Sequence, residues 1–179
     1  METITRNFTI YPFNELSRDG KEKALRDYWQ GNMYNDYWFE HIIYDAKEVE
    51  IKIKEWDINR GICEIEFLQD IEFTIYKILN NHGESCQTYI LAKEYNKDFD
   101  LLVAKYSNGI KTDIVDEGNE EEFDEEIKDL ERNFKYELGQ EYLSMLTREY
   151  DWINSEEHAT EYFNDMDYKF TENGELFDL

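Results

Sequence analysis

One proline and eight glycines in 179 residues argue for few long loops, and two cysteines, Cys63 and Cys86, leave no disulfide framework and fit a reducing compartment. No apolar run approaches the roughly 18 residues of a membrane span. The opening METITRNFTIYPF lacks the basic n-region and apolar h-region of a signal peptide. A P-loop, G-x-G-x-x-G, H-E-x-x-H and G-x-S-x-G are all missing, so no nucleotide fold, zinc protease or hydrolase elbow is signalled. Basic residues are scarce, 19 Lys and Arg against 43 Asp and Glu, which argues against direct nucleic-acid binding. A soluble, intracellular protein without cofactor is expected.

What is present is negative charge, and it is unevenly placed. Residues 1–112 hold 20 acidic and 14 basic side chains; residues 113–179 hold 23 and 5, giving most of the net charge of −24. Eleven carboxylates crowd the stretch from Asp113 to Glu131 (Asp113, Asp116, Glu117, Glu120, Glu121, Glu122, Asp124, Glu125, Glu126, Asp129 and Glu131), against Lys128. Like charges repel, so such a block must be tolerated or used. Hydrophobic residues at 41% and aromatics at 16% exclude a disordered acidic tail and predict a folded chain.

The pattern predicts an α+β fold: a small antiparallel sheet packed by helices, with a long acidic C-terminal amphipathic helix. An α+β body over 1–112 would precede a strongly acidic helical region over 113–179, the two possibly forming one continuous domain. Arg6–Phe13 alternates as a strand, and Ser17 caps a helix that Gly31–Asn32 interrupts. Tyr34–Lys47 reads as a second helix. Val49, Ile51 and Ile53 alternate with charge, turn at Asn59–Arg60–Gly61 and return as Cys63, Ile65 and Phe67, the pattern of a hairpin that Trp56–Ile58 extends. Asp70 caps the next helix, which ends at His82–Gly83 with glycine in the C-terminal role. Ser85 to about Tyr95 and Asp98–Tyr106 read as two helices. Phe123, Ile127, Leu130, Phe134, Leu138, Tyr142 and Met145 then mark a helix of about 30 residues, some 45 Å long, which Gly139 could bend or split. Asn154 or Ser155 caps a last helix, and Tyr168–Phe177 reads as a hairpin turning at Asn173–Gly174.

The segments PFNELSRDGKEKALRDY, YWFEHIIYDAKE, WDINRGICEIEF, NHGESCQTYILAKE and EYDWINSEEHATEYFNDMDYKFTENGEL together resemble a family of phage- and prophage-encoded proteins. Some members carry antitoxin-like labels, and in size and charge the chain resembles anti-CRISPR proteins. The resemblance implies a phage context and a bacterial host cytoplasm. Gly20 departs from the small helix former usual in the family, and the similarity is weakest across Asp113–Glu131.

Carboxylates three and four apart on a helix are about 5–6 Å apart, comparable to phosphates along one strand. The Asp113–Glu131 face, helped by Glu137, Glu141, Glu156 and Glu157, could therefore imitate nucleic-acid backbone before a basic channel. The plainer alternative is a solvated face. His82, Glu84 and Cys86 could pair a nucleophile with a base, with Cys63 as a further metal ligand, or simply end one helix and start the next. Asp57, Arg60, Glu64, Glu66 and Asp70 could bind Mg²⁺ in a nuclease, or be a turn ion pair and the wet face of a hairpin. His41 reads as core or interface packing, and His158 has no evident partner. Tyr28, Trp29, Tyr34, Tyr37, Trp38 and Phe39 read most simply as core, though part of the set could form a protein-binding patch. Asp165 and Asp167 lack the glycine of a calcium loop.

These readings combine into a non-enzymatic inhibitor that binds a basic nucleic-acid-handling protein, foremost a CRISPR effector nuclease, with no catalytic or metal residue. The partner-binding set is the eleven carboxylates together with Glu156 and Glu157. The rivals are an antitoxin-like partner of a toxin and a nuclease acting on guide RNA.

Overall fold

The structure, a computed structural model, describes residues 7, 9–32, 37–107 and 120–177. Among them are six α-helices and one two-stranded antiparallel sheet, an α+β fold with a long C-terminal helix. The order is α1 (Arg18–Asn32), α2 (Glu40–Glu48), β1 (Ile51–Asp57), β2 (Ile62–Phe67), α3 (Ile71–Asn81), α4 (Gln87–Tyr106), α5 (Glu120–Ile153) and α6 (Glu156–Asp165). Two units form, one of Glu40–Thr147 and one of Met1–Phe39 with Arg148–Leu179.

In the unit of Glu40–Thr147 the hairpin forms as the alternation dictates, with Ile51 opposite Phe67 and Ile53 opposite Ile65. Asp57 Oδ1 accepts the Arg60 backbone N–H at 3.0 Å, and its other oxygen pairs with the Arg60 guanidinium at 3.4 Å. Gly61 takes the left-handed conformation, φ +69°, that the turn requires. The register slips between Ile53 and Glu55, so Lys54 is an extra residue and Trp56, not Glu55, stands opposite Cys63. Trp56 thereby joins the face of Ile51 and Ile53.

Helix α5 lies on β2 through Phe134 and Gly139, and α3 packs on α4. Asp70 caps α3 through the Phe73 N–H at 3.0 Å. Gly83 does not adopt the left-handed conformation expected of it; His82 ends α3 in extended geometry. The two short helices expected between Ser85 and Tyr106 are one 20-residue helix. No Gly or Pro interrupts Asn96–Lys97–Asp98, and Phe99 stacks on the buried Tyr95 one turn earlier. Gly139 neither bends nor splits the 34-residue α5. It is the point where α5 meets β2, since a Cβ there would stand 2.7 Å from the Cys63 carbonyl oxygen. Phe134, one turn and a half earlier, stacks on Phe67 with ring centroids 6.2 Å apart.

Gly→Ala inside a helix ordinarily stabilises by about 1 kcal/mol. At Gly139 the sign should reverse, with a loss of about 1–3 kcal/mol as β2 is pushed aside, read as a lower urea midpoint. A raised midpoint would show that helix and strand do not touch there.

In the other unit, Phe13, Leu16, Leu25, Phe163 and Phe170 form the core, with Phe13 and Phe163 ring centroids 5.0 Å apart. Ser17 accepts the Gly20 N–H at 3.2 Å, and α1 continues through Gly31 and Asn32 instead of stopping before them. Gly31 meets no neighbour within 4 Å, so nothing forces a break. Ser155 caps α6 through the His158 N–H at 3.0 Å. Of the strand expected over Arg6–Phe13, residues 6 and 8 lie outside the described residues. What is described is a single bridge, Tyr11 to Phe170, before a short 3₁₀ turn at Phe13–Glu15. Pro12 next to the bridge cannot donate to a ladder. The closing hairpin is likewise one bridge, Phe170 to Leu176, around Gly174. Helix α2 begins at Glu40, after a turn at 37–39, and not at Tyr34, which lies outside the described residues.

Candidate functional site

The acidic helix start is built on an apolar underside. Phe123, Ile127 and Leu130 are half-buried, and the Phe123 ring meets Tyr106 edge-on at 5.4 Å. This seating turns Glu120, Glu121, Glu122, Asp124 and Glu125 outward, all exposed, and none forms an ion pair among the described residues. Glu121, Glu125 and Asp129 follow at four-residue steps, a row about 12 Å long. The first-turn acids gain from the helix dipole, which helps the helix bear repulsion between like charges four residues apart.

Three members of the expected set have local duties. Glu126 accepts from Lys105 Nζ at 2.6 Å and from the Tyr106 hydroxyl at 3.1 Å. The Lys105 hydrogen bond holds the Glu126 carboxyl below its ordinary range and raises Lys105 in return. Asp129 pairs with Arg132 at 2.8 Å. Glu131 is half-buried beside Phe67, Ile71, Lys128 and Lys135, around a cavity of about 580 Å³. Asp113, Asp116 and Glu117 lie outside the described residues. Glu156 and Glu157 are exposed in the first turn of α6 and belong to the other unit. Glu137 is exposed and Glu141 half-buried further along α5.

His82 does not face Cys86. Its Nδ1 shares a hydrogen bond with Thr88 Oγ1 at 2.7 Å, and its Nε2 lies 3.6 Å from Asp45 Oδ1. The Tyr142 hydroxyl donates to the other Asp45 oxygen at 3.4 Å. Burial and the Asp45 carboxylate push the Tyr142 hydroxyl strongly upward. Thr88, His82 and Asp45 follow the order of a nucleophile, base and orienting acid. Yet Thr88 is 4% exposed and the His82 side chain 8%, which leaves no room for a substrate at the hydroxyl. The chain of contacts ties α2, α4 and α5 together at the end of α3. Sequence reasoning missed Asp45, Thr88 and Tyr142. The available signal was a tyrosine on the inward stripe of α5, since a buried hydroxyl requires a partner.

Cys63 is half-buried, its thiol pushed up to about 11 by burial, and Cys86 is exposed at the start of α4. Glu64 stands opposite Glu55 across the ladder, and Glu66 pairs with Lys54 at 3.5 Å. Asp70 is engaged as a cap and Asp57 in the turn. Among the described residues no three His, Cys, Asp or Glu side chains gather as a metal site. His41 is exposed on α2, not packed in a core. His158 has partners after all, the Tyr28 hydroxyl at 3.2 Å and the Trp152 ring edge-on at 5.5 Å. Of the aromatic set, Tyr28 and Trp29 pack on the Phe13 core, Trp38 meets Phe39 and Tyr150, and Tyr37 is 69% exposed.

No family model matches the chain, and no curated protein or solved structure is found similar to it. No helix among the described residues is long and apolar enough to cross a membrane.

Proposed function

We propose that the protein is a phage-derived inhibitor of the anti-CRISPR type, acting in the bacterial cytoplasm. It docks on a basic nucleic-acid-handling effector nuclease and blocks nucleic-acid binding with the acidic face of α5. The observation that carries this reading is the set of five exposed carboxylates, Glu120, Glu121, Glu122, Asp124 and Glu125, without ion partners among the described residues, on a helix start seated by Phe123 and Glu126. A solvated face needs neither that density nor that seating. The charge supplies attraction and fast encounter, which fade with salt.

The test is target-DNA cleavage by a guide-loaded type II CRISPR nuclease with this protein added, following target, guide length and salt together. Glu121→Lys, Asp124→Lys and Glu125→Lys are combined, because Asp129 is already engaged with Arg132. The triple variant should keep its helical circular dichroism and bind at least about 100-fold more weakly, mostly through a slower on-rate. Inhibition equal to the parent's would sink the electrostatic mechanism, and a shortened guide would replace it with the nuclease reading.

A further inference from the structure

The first seven residues of α5, Glu120–Glu126, carry six carboxylates, so neighbours three and four apart repel. A helix end loaded in this way frays unless another element holds it. Among the described residues, every hydrogen bond, ion pair and ring contact from this segment to another element goes to the last two residues of α4, Lys105 and Tyr106. Lys105 Nζ and the Tyr106 hydroxyl both donate to Glu126 Oε1, at 2.6 and 3.1 Å. The same Nζ stands 4.7 Å from the centre of the Tyr106 ring. That ring, on a residue 6% exposed, meets Phe123 edge-on one turn before Glu126. The clamp therefore joins charge to packing: the cation fixes the carboxylate, and the ring beneath the cation fixes Phe123.

For attraction of a basic partner alone, a lysine at this point is a loss, because it weakens the local negative potential. Its gain is order. We infer that Lys105 and Tyr106 are positioning residues, which regulate whether the acidic face is presented as an ordered helix, and that Glu126 serves them and not the partner. The inference rests on the reading of this face as a docking surface and adds the condition under which it docks. A partner that recognises the ordered helix binds with an apparent affinity proportional to the ordered fraction. Steering and positioning then differ in sign at Lys105. Removing its charge makes the protein one unit more negative, which steering alone rewards and positioning penalises.

The test compares Lys105→Met with Lys97→Met, an exposed lysine of the same helix whose loss changes the net charge equally. Hydrogen exchange on the full ¹⁵N-labelled chain reads the amides of Asp124–Ile127, since the first four N–H groups of a helix have no intrahelical partner. In the parent these amides should be protected at least about tenfold, and in Lys105→Met they should exchange within about twofold of an unstructured chain. The amides of β1 and β2 should keep the parent's protection, which separates this local release from unfolding. Lys105→Arg should restore protection, because a guanidinium also donates to the carboxylate, and Tyr106→Phe, which keeps the ring, should fall between. An ordered fraction cut to about one fifth predicts that the guide-loaded nuclease binds Lys105→Met about fivefold more weakly. Lys97→Met should bind as tightly as the parent or more tightly. Unchanged exchange in Lys105→Met, or equal acceleration in Lys97→Met, would overturn the inference. So would lost protection with the parent's affinity, or lost affinity with full protection, the latter meaning that Lys105 itself touches the nuclease. If the parent binds no nuclease, the docking reading falls and exchange alone decides the clamp.

Discussion

Gly174→Ala is expected to lower the melting temperature by roughly 10 °C. Gly174 has φ +80°, and a Cβ there would lie 2.0 Å from the Gly20 carbonyl oxygen and 2.8 Å from its carbon. Both neighbours are backbone, so no rotamer change relieves the contact. The left-handed conformation adds about 1–2 kcal/mol for a residue with a Cβ, and overpacking about 1–3 kcal/mol. Their sum, about 3 kcal/mol, gives that shift at 2–4 °C per kcal/mol for a chain of roughly this size. Gly61→Ala separates the causes. Gly61 is also left-handed, φ +69°, but nothing lies within 4 Å of its Cβ position, so only the first contribution, about 1–2 kcal/mol, should appear. Thermal unfolding of both variants by circular dichroism decides it. Equal losses would mean that α1 and the closing turn do not cross in direct backbone contact.

Phe134→Ala should remove about 3–5 kcal/mol from the unit of Glu40–Thr147. The ring is 3% exposed, stacks on Phe67 and lies 4.9 Å from Tyr95. Truncating it would open a void where β2, α4 and α5 meet. Tyr136→Ala is the control. It lies two residues further along the same helix with 66% of its surface exposed, so its effect should stay within about 0.5 kcal/mol. Urea unfolding followed by far-ultraviolet circular dichroism reads both. A Phe134→Ala loss no larger than that of Tyr136→Ala would show that α5 is not held by this cluster.

The hairpin, the Asp70 and Ser155 caps and the long helix were legible in the sequence because each rests on local spacing. Ile51 and Ile53 against Cys63, Ile65 and Phe67 declare a ladder. An Asp or Ser placed just before a periodic run declares a cap. The interruptions expected at Gly31, between Tyr95 and Asp98, and at Gly139 did not occur. In each, local propensity was weaker than packing or met no opposition, and the role of Gly139 depends on a strand more than 70 residues away in the chain. Gly20 has a comparable cause: a Cβ there would stand 3.0 Å from the Glu172 carbonyl oxygen. The acidic character of the candidate face was visible as composition. Its division into outward Glu121, Asp124 and Glu125 and locally engaged Glu126 and Asp129 required Lys105 and Arg132 to be placed in space. The pairing of His82 with Asp45 and Thr88 was hidden for the same reason, since Asp45 lies on another helix.

The extra residue at Lys54 bears on how kindred chains can be recognised. Strand side chains alternate with a period of two, so in a regular ladder of this same sequence Glu55 would stand opposite Cys63 where Trp56 now stands. The number of residues between Ile53 and its apolar successor is therefore tied to whether the strand carries the bulge. A chain of the same architecture keeps the odd count, I-x-I-x-x-W followed by a glycine turn and C-x-I-x-F, or else moves its large apolar residue one place earlier. Such a spacing rule can link sequences whose overall identity has decayed, because it follows the backbone and not the residues that decorate it.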